Sequence, residues 1–234
     1  WVLVWGTAGL FSLATMAVVG VAGYGVAFLS INYGLPWYFM LPLGVIFGLI
    51  TGIIISLPAL RIRGVYYSLL TMGIAEFLRV YVSQNKALGA SASGLYGADS
   101  FIPETLVNTT SGFIIIHFVA LLVLGLALIL HYFIDNGRLG LLLRTARESE
   151  STALAFGVDV PWARMMVFVL SSMALGFIGA FYVTIFRSIS VSIFSLETLL
   201  LLLAMMVIGG MNSRFGIVLG TALVVFVDQQ LTDL

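Results

Sequence analysis

The first sixty residues carry no charged side chain, and the first charge in the chain is Arg61. A bilayer has a hydrocarbon core about 30 Å thick, which about 20 apolar residues cross as an α-helix. The uncharged stretch therefore has room for two crossings, which we place near residues 2–30 and 37–59, on either side of Gly34-Leu35-Pro36. The first is long for a single crossing, and its several glycines allow a kink or a break.

The composition excludes the common soluble classes. Hydrophobic residues make up 61% of the 234 residues and charged residues 9%, with zero net charge. A soluble domain carries roughly 25% charged residues, and disorder requires low hydrophobicity. The zero net charge gives no basic field for nucleic acid, and the absence of cysteine excludes disulfides and thiolate metal sites.

Five further apolar runs follow Arg61, each too long and too uniform to be a barrel strand of alternating polarity. We predict an all-α, polytopic helical membrane protein with about seven hydrophobic segments, forming one transmembrane domain over residues 1–234. The run at 198–212 is short enough to re-enter the membrane instead of spanning it. The five runs lie at 65–82, 112–134, 165–186, 198–212 and 215–233.

The basic residues predict an orientation, because cytoplasmic loops carry an excess of Lys and Arg. Placing the loop at 60–64 in the cytoplasm puts seven basic residues inside and two outside. The loop at 83–111 is then external, and the loop at 135–164 is cytoplasmic. The seven inward residues are Arg61, Arg63, Arg138, Arg144, Arg147, Arg164 and Arg214.

An acidic and a basic residue lie inside the third segment. Counted from Val65, Glu76 is roughly 17 Å along the helix, near mid-membrane, and Arg79 follows on the same helix face. Ionisable groups at that depth usually face a bundle interior or a wet cavity. Two interpretations stay open: a structural ion pair that fixes packing, and a role beside the path of a solute.

Small residues recur at four-residue spacing, a pattern that lets helices approach closely in lipid. Packing within the chain and a surface for a partner subunit are both consistent with it. The glycines concerned are Gly44, Gly48 and Gly52, and further along Gly216 and Gly220.

The stretch at 139–156 has no Pro and no Gly after Gly140, and it is followed by Gly157. It predicts one or two short helices outside the membrane that end at that glycine. An amphipathic helix lying on the bilayer and a helix docked in the groove of a partner both fit.

Motifs for catalysis are absent from the sequence. It contains no GxxxxGK[ST] phosphate loop, no HExxH and no GxSxG. We therefore predict that the chain is not an enzyme, does not hydrolyse ATP through such a loop, and holds no cofactor of its own.

The order of several short motifs is specific when they are taken together. In that order the chain resembles the permease subunits of ABC importers for branched-chain amino acids, in particular the second of the two paired permeases. The likeness extends from about residue 1 to residue 227. The residues that carry it are LPALRIRG at 57–64, Tyr66 or Tyr67, Thr71, Glu76, Arg79, Asn85, RESE at 147–150, Ala153, Gly157, Val158, Phe168, Ser171, Gly176, Gly179, Ala180, VIGG at 207–210, Gly216 and Gly220.

The resemblance implies a bacterial inner-membrane importer for a branched-chain or other hydrophobic amino acid, or for a small amide such as urea. Its partners would be a paralogous permease, two ATP-binding subunits that hold ATP and Mg²⁺, an external solute-binding protein and the bilayer. Thr71, Glu76, Arg79 and Asn85 would belong to the pathway or to a structural ion pair. The implied coupling helix, which contacts an ATP-binding subunit, contains Arg147, Glu148, Glu150, Ala153 and Gly157.

Two departures from the family pattern concern the solute and the partner. The external turn lacks the usual glycine pair at 88–94, and Leu154 stands where an acid is common. The first and last hydrophobic segments of the family are missing, so we expect a longer natural chain. The alternative function is a secondary transporter or channel, although such proteins tend to show inverted repeats and none is detected.

Overall fold

The computed structural model describes residues 2–62, 64–85, 88, 94–103, 109–148, 157, 159–210 and 214–232. Helices dominate this part of the chain, and one antiparallel pair of short strands joins β1 (Leu95–Tyr96) to β2 (Ser188–Ile189). The helices are α1 (Thr15–Tyr33), α2 (Trp37–Ser56), α3 (Val65–Gln84), α4 (Thr110–Asn136), α5 (Arg138–Glu148), α6 (Val160–Phe186), α7 (Leu196–Gly209) and α8 (Arg214–Thr232). Shorter helical turns are the π-helix Val2–Thr7 and the 3₁₀ turns Leu57–Leu60 and Val191–Phe194.

All seven hydrophobic segments predicted from the sequence contain a helix, and the all-α multi-pass architecture is confirmed. α3 has 20 residues, or about 30 Å of helix, but its charged residues lower its hydropathy. Four stretches of the described chain are long and apolar enough to cross a membrane, namely Thr15–Tyr33, Trp37–Leu60, Thr110–Asn136 and Val160–Phe186.

The first segment is broken. The π-helix ends at Thr7, the chain runs without helix from residue 8 to residue 14, and α1 begins at Thr15. Gly9 permits the break, because its φ of +65° is a conformation that other residues rarely adopt. The glycines inside α1 do not break it; an added Cβ at Gly20 would overlap the ring of Phe194, so this position serves close packing.

The core is formed by α6 packed against α1 and α2. α2 and α6 run antiparallel, because Gly44 meets Ala180 while Gly52 meets Ser172. At Gly48 an added Cβ would overlap the carbonyl oxygen of Ser172, so the two backbones approach as closely as glycine allows. The stripe at 44–52 therefore packs inside this chain.

α7 and α8 form a hairpin joined near Gly210. Its close contact depends on the second small-residue stripe, since an added Cβ on Gly220 would lie 2.5 Å from the Cα of Gly209. α7 has 14 residues, or about 21 Å of helix, less than the bilayer core. Phe194, just before α7, already packs 5.9 Å from the ring of Tyr24, so the chain re-enters the bundle before this helix starts.

The loops separate to two ends of the bundle. At one end β1 pairs with β2, and the Ser100 hydroxyl donates to the Thr184 carbonyl at 2.6 Å. At the other end the Arg164 guanidinium donates to the Ala8 carbonyl at 3.2 Å. The loops predicted to be external thus meet at one end, and the end of α2 and the start of α6, which border the predicted cytoplasmic loops at 60–64 and 135–164, lie at the other. Which end faces the cytoplasm stays a prediction.

Candidate functional site

The ion pair in α3 is formed. The Nε of Arg79 donates to both carboxylate oxygens of Glu76, at 2.9 and 3.0 Å. The spacing of three residues places both side chains on one helix face. Each side chain is 42% exposed. The pair was predicted to face the interior of the bundle, but the described residues of this chain do not bury it.

The two faces of α3 differ sharply. On one face Tyr67 and Thr71 are fully buried, and the Thr71 hydroxyl accepts a hydrogen bond from the Leu13 amide at 3.0 Å. The opposite face is open, since nothing lies within 4 Å of an added Cβ at Gly73, and Phe77 is 67% exposed. The ion pair lies beside an apolar face that has no partner among the described residues.

Thr71, Glu76, Arg79 and Asn85 do not form one cluster. Thr71 turns inward and holds the non-helical segment of residues 8–14. Asn85 lies at the end of α3, where its amide donates to the Val82 carbonyl at 3.3 Å. It is six residues beyond Arg79, or about 9 Å along the helix. Only Glu76 and Arg79 act together in this structure.

The stretch predicted to contact an ATPase begins with α5. Leu143 and Ala146 are buried, and Ala146 packs with Val160 at the start of α6. The helix ends at Glu148, and Gly157 has a φ of +77°, a backbone conformation that favours glycine. The side chains of Arg147 and Glu148, and the residues Glu150 and Ala153, lie outside the described structure.

The start of α6 is fixed by a cap. The Asp159 carboxylate accepts a hydrogen bond from the Trp162 amide at 3.2 Å, which satisfies one of the free amides of the first helical turn. The cap fixes where α6 begins, and the packing of Ala146 on Val160 holds the end of α5 against that start.

Sequence reasoning missed the polar contacts that hold the broken first segment. Asp135 is 7% exposed and accepts a hydrogen bond from the Thr7 hydroxyl at 3.1 Å. The Ser68 hydroxyl donates to the Phe11 carbonyl at 2.7 Å. One signal was present in the sequence: hydroxyl-bearing residues and glycines are frequent between residues 6 and 15, and such residues suit irregular backbone inside a membrane protein.

Comparison with known proteins gives a consistent family. A family model described as "Branched-chain amino acid transport system / permease component" matches residues 1–234. The chain is 25% identical to the LivM permease proteins of the high-affinity branched-chain amino acid transport systems of Salmonella typhimurium and Escherichia coli, over 97% of its own length. It spans 59% of the length of these relatives. No solved structure matches the chain.

Proposed function

Because the chain belongs to the family of permease components of branched-chain amino acid transport systems, we propose that it is the transmembrane permease subunit of an ATP-driven bacterial importer. Its solutes are branched-chain amino acids, with other hydrophobic amino acids and small amides as the related alternatives. The match of the family model to all 234 residues carries this proposal. The chain supplies half of the translocation pathway and no ATPase site; ATP and Mg²⁺ bind to partner subunits.

A second, paralogous permease covers the open face of α3 in this proposal. The support is the ion pair of Glu76 and Arg79, which is near mid-membrane and 42% exposed in this chain. Charged side chains at that depth are unfavourable against acyl chains and normally face protein or water. A partner permease with a hydrated path between the two chains would provide both.

Coupling to two ATP-binding subunits is proposed at the connection between α5 and α6, which includes Arg147, Glu148, Glu150, Ala153 and Gly157. Ala146 packs on Val160, so a displacement of α5 moves the start of α6. α6 packs along both α1 and α2. A rigid-body shift from an ATPase can therefore reach the centre of the bundle and alternate the access of the pathway.

The complex would lie in the bacterial inner membrane and receive its solute from an external solute-binding protein. The test is uptake into proteoliposomes that contain the full-length permease, the second permease and the ATP-binding subunits, with the solute-binding protein outside. We expect saturable uptake of labelled leucine, isoleucine and valine that requires ATP on the side of the ATPases. Urea and acetamide in the same panel distinguish an amide importer.

A secondary transporter is the second candidate, because a discontinuous first helix is a feature of that class. The same proteoliposomes without ATP, under an imposed sodium or proton gradient, test it. Gradient-driven uptake in the absence of ATP would replace the importer by this candidate. Uptake that depends on ATP and ignores both gradients supports the importer.

A further inference from the structure

The break in the first segment places the start of α1 inside the bundle. The amides just before the helix are satisfied: Leu13 donates to the Thr71 hydroxyl at 3.0 Å, and Ala14 donates to the Ser12 hydroxyl at 3.3 Å. The first turn of α1 itself has no such support. Ala14 stands at the cap position and has no side-chain hydrogen bond to offer.

The first turn of an α-helix has amide groups without an intrahelical acceptor, and it carries the positive end of the helix dipole. In α1 these amides belong to Thr15, Met16 and Ala17, and the last two residues are buried. Their depth follows from the facing helix. Ser171 is about 17 Å along α6, a helix about 40 Å long, so the first turn of α1 lies far from both ends of the bundle.

A cavity of about 190 Å³ adjoins this first turn and is lined in part by Ser12, Thr15, Ser171 and Ser172. Ser172 donates to the Phe168 carbonyl at 2.9 Å, but the hydroxyl of Ser171 has no hydrogen-bond partner among the described residues, although the residue is only 8% exposed. An unsatisfied hydroxyl at this depth is costly. The amides of the first turn can only donate hydrogen bonds and this hydroxyl can donate as well, so the cavity, whose wall also includes His131, suits an acceptor, above all a carboxylate.

A larger apolar cavity of about 510 Å³ lies on the other side of Thr15 and Leu175, which line both cavities. Its further walls include Met16, Ile178 and Met206. No acidic or basic residue of the described chain lines it. Its size is that of a small-molecule site, and its walls match an aliphatic side chain.

We propose that the two adjoining cavities form a binding site for a branched aliphatic amino acid within this single permease chain. The carboxylate accepts hydrogen bonds from the first turn of α1 and from the hydroxyls of Thr15 and Ser171, and the aliphatic side chain occupies the larger cavity. The inference deepens the proposed function and rests on it for the identity of the solute. Because neither cavity is lined by Asp or Glu in the described chain, recognition depends on the carboxylate and the aliphatic group more than on the ammonium.

The test uses the full-length permease in lipid nanodiscs without the solute-binding protein, so that no external site contributes. Binding of tritiated leucine is measured and then competed with 4-methylpentanoate, which keeps the carboxylate, and with leucinol, which lacks it. We expect 4-methylpentanoate to compete about as well as leucine. Leucinol should compete at least about tenfold less well, the effect of losing hydrogen bonds to a charged group.

Substitution of Ser171 tests whether its hydroxyl binds the solute or has only a structural role. Ser171→Ala should weaken leucine binding about tenfold, while Ser171→Thr keeps the hydroxyl and most of the affinity. Thermal stability of the unliganded Ser171→Ala protein should not fall, because an unsatisfied hydroxyl has been removed. The matched control is Ser56→Ala in α2, whose hydroxyl donates to the Ile53 carbonyl at 3.0 Å and lines neither cavity.

The outcomes distinguish the inference from the proposed function. Absence of leucine binding to the nanodisc protein, equal affinity of Ser171→Ala and Ser56→Ala, or equal competition by leucinol would each overturn the site, and the cavity would then hold only water. If ATP-driven uptake of leucine persists in the complex while these results are obtained, the importer stands without the site. If the native complex showed no ATP-driven uptake of leucine, the proposal of a leucine importer would itself be rejected.

Discussion

At the scale of single residues, Glu76 and Arg79 depend on each other and on what covers α3. Glu76→Gln leaves the Arg79 guanidinium without its carboxylate on a face that is open in this chain. We expect a several-fold lower yield of assembled complex, with little change in solute preference, because an unpaired charge at mid-membrane is unfavourable in the assembled state. Size-exclusion chromatography of the complex and competition uptake measure the two quantities.

The control for that substitution is the exchanged pair, Glu76→Arg with Arg79→Glu, which keeps both charges three residues apart. It should restore much of the assembly that Glu76→Gln loses. Equal assembly of the native protein and Glu76→Gln would show that the ion pair has no structural role.

Gly48 shows what one methyl group does between two helices. In Gly48→Ala the new Cβ would meet the Ser172 carbonyl oxygen, and backbone atoms cannot move aside as a flexible side chain can. We expect the free energy of unfolding to fall by about 1–3 kcal/mol, the usual cost of overpacking. The midpoint of thermal unfolding in detergent measures it. Gly125→Ala in α4, where nothing lies within 4 Å of the added Cβ, is the control and should not be destabilised.

At the scale of elements, the connection between α5 and α6 turns at Gly157, whose φ is +77°. Valine in that conformation costs roughly 1–2 kcal/mol, so Gly157→Val should alter the turn while the spans stay intact. We expect normal membrane insertion, with reduced uptake and reduced coupling of ATP hydrolysis to solute. Gly157→Asn is the control, since Asn tolerates positive φ. Normal uptake by the valine variant would remove any special role of the backbone at this position.

The helices were predictable from the sequence. For the first one, the sequence indicated that a break was possible but not where it would lie. Apolar runs of membrane-spanning length identify helices because a bilayer leaves the backbone no other hydrogen-bond partners. The glycines of α1 indicated flexibility, yet Gly20 lies within the helix against Phe194, and the break lies before Thr15. Its position depends on Ser68 and Thr71, more than fifty residues away, which hold the non-helical backbone.

Of the candidate sites, one could be predicted from the sequence and one could not. The contact of Glu76 with Arg79 follows from their spacing on one helix, and the structure has it. Ser171 is one of the residues that carry the family resemblance, but nothing in the sequence indicated a ligand contact there, because a serine in an apolar helix usually bonds to the preceding turn of its own helix, as Ser172 does with the Phe168 carbonyl. Only the packing of α1 beside α6 reveals that the Ser171 hydroxyl borders a cavity and has no hydrogen-bond partner among the described residues.

At the scale of the whole molecule, the orientation in the membrane rests on the basic residues. The chain has no cysteine, so single cysteines can be placed without background. Ser93→Cys, in the loop predicted to be external, should react with an impermeant maleimide in intact cells. Ser151→Cys should react only after the membrane is opened. Labelling of Ser151→Cys from outside would invert the predicted topology.

Assembly with a second permease can be tested at two glycines that are both open in this chain. Gly73 lies on the face of α3 beside the ion pair and Gly125 lies on α4, and nothing is within 4 Å of an added Cβ at either position. α4 is apolar and unburied along its spanning window, as expected of a helix that faces lipid. A leucine at Gly125 should therefore be accommodated.

We expect Gly73→Leu to reduce recovery of the partner permease in pull-down of the complex, because close approach of helices in lipid requires small residues at the contact. Gly125→Leu should leave recovery unchanged. Thermal unfolding of the separately purified full-length permease completes the experiment, and there Gly73→Leu should match the native protein. A loss of stability in the separate subunit would mean that another part of the same natural chain covers α3, and equal recovery of the partner by both variants would place the second permease elsewhere.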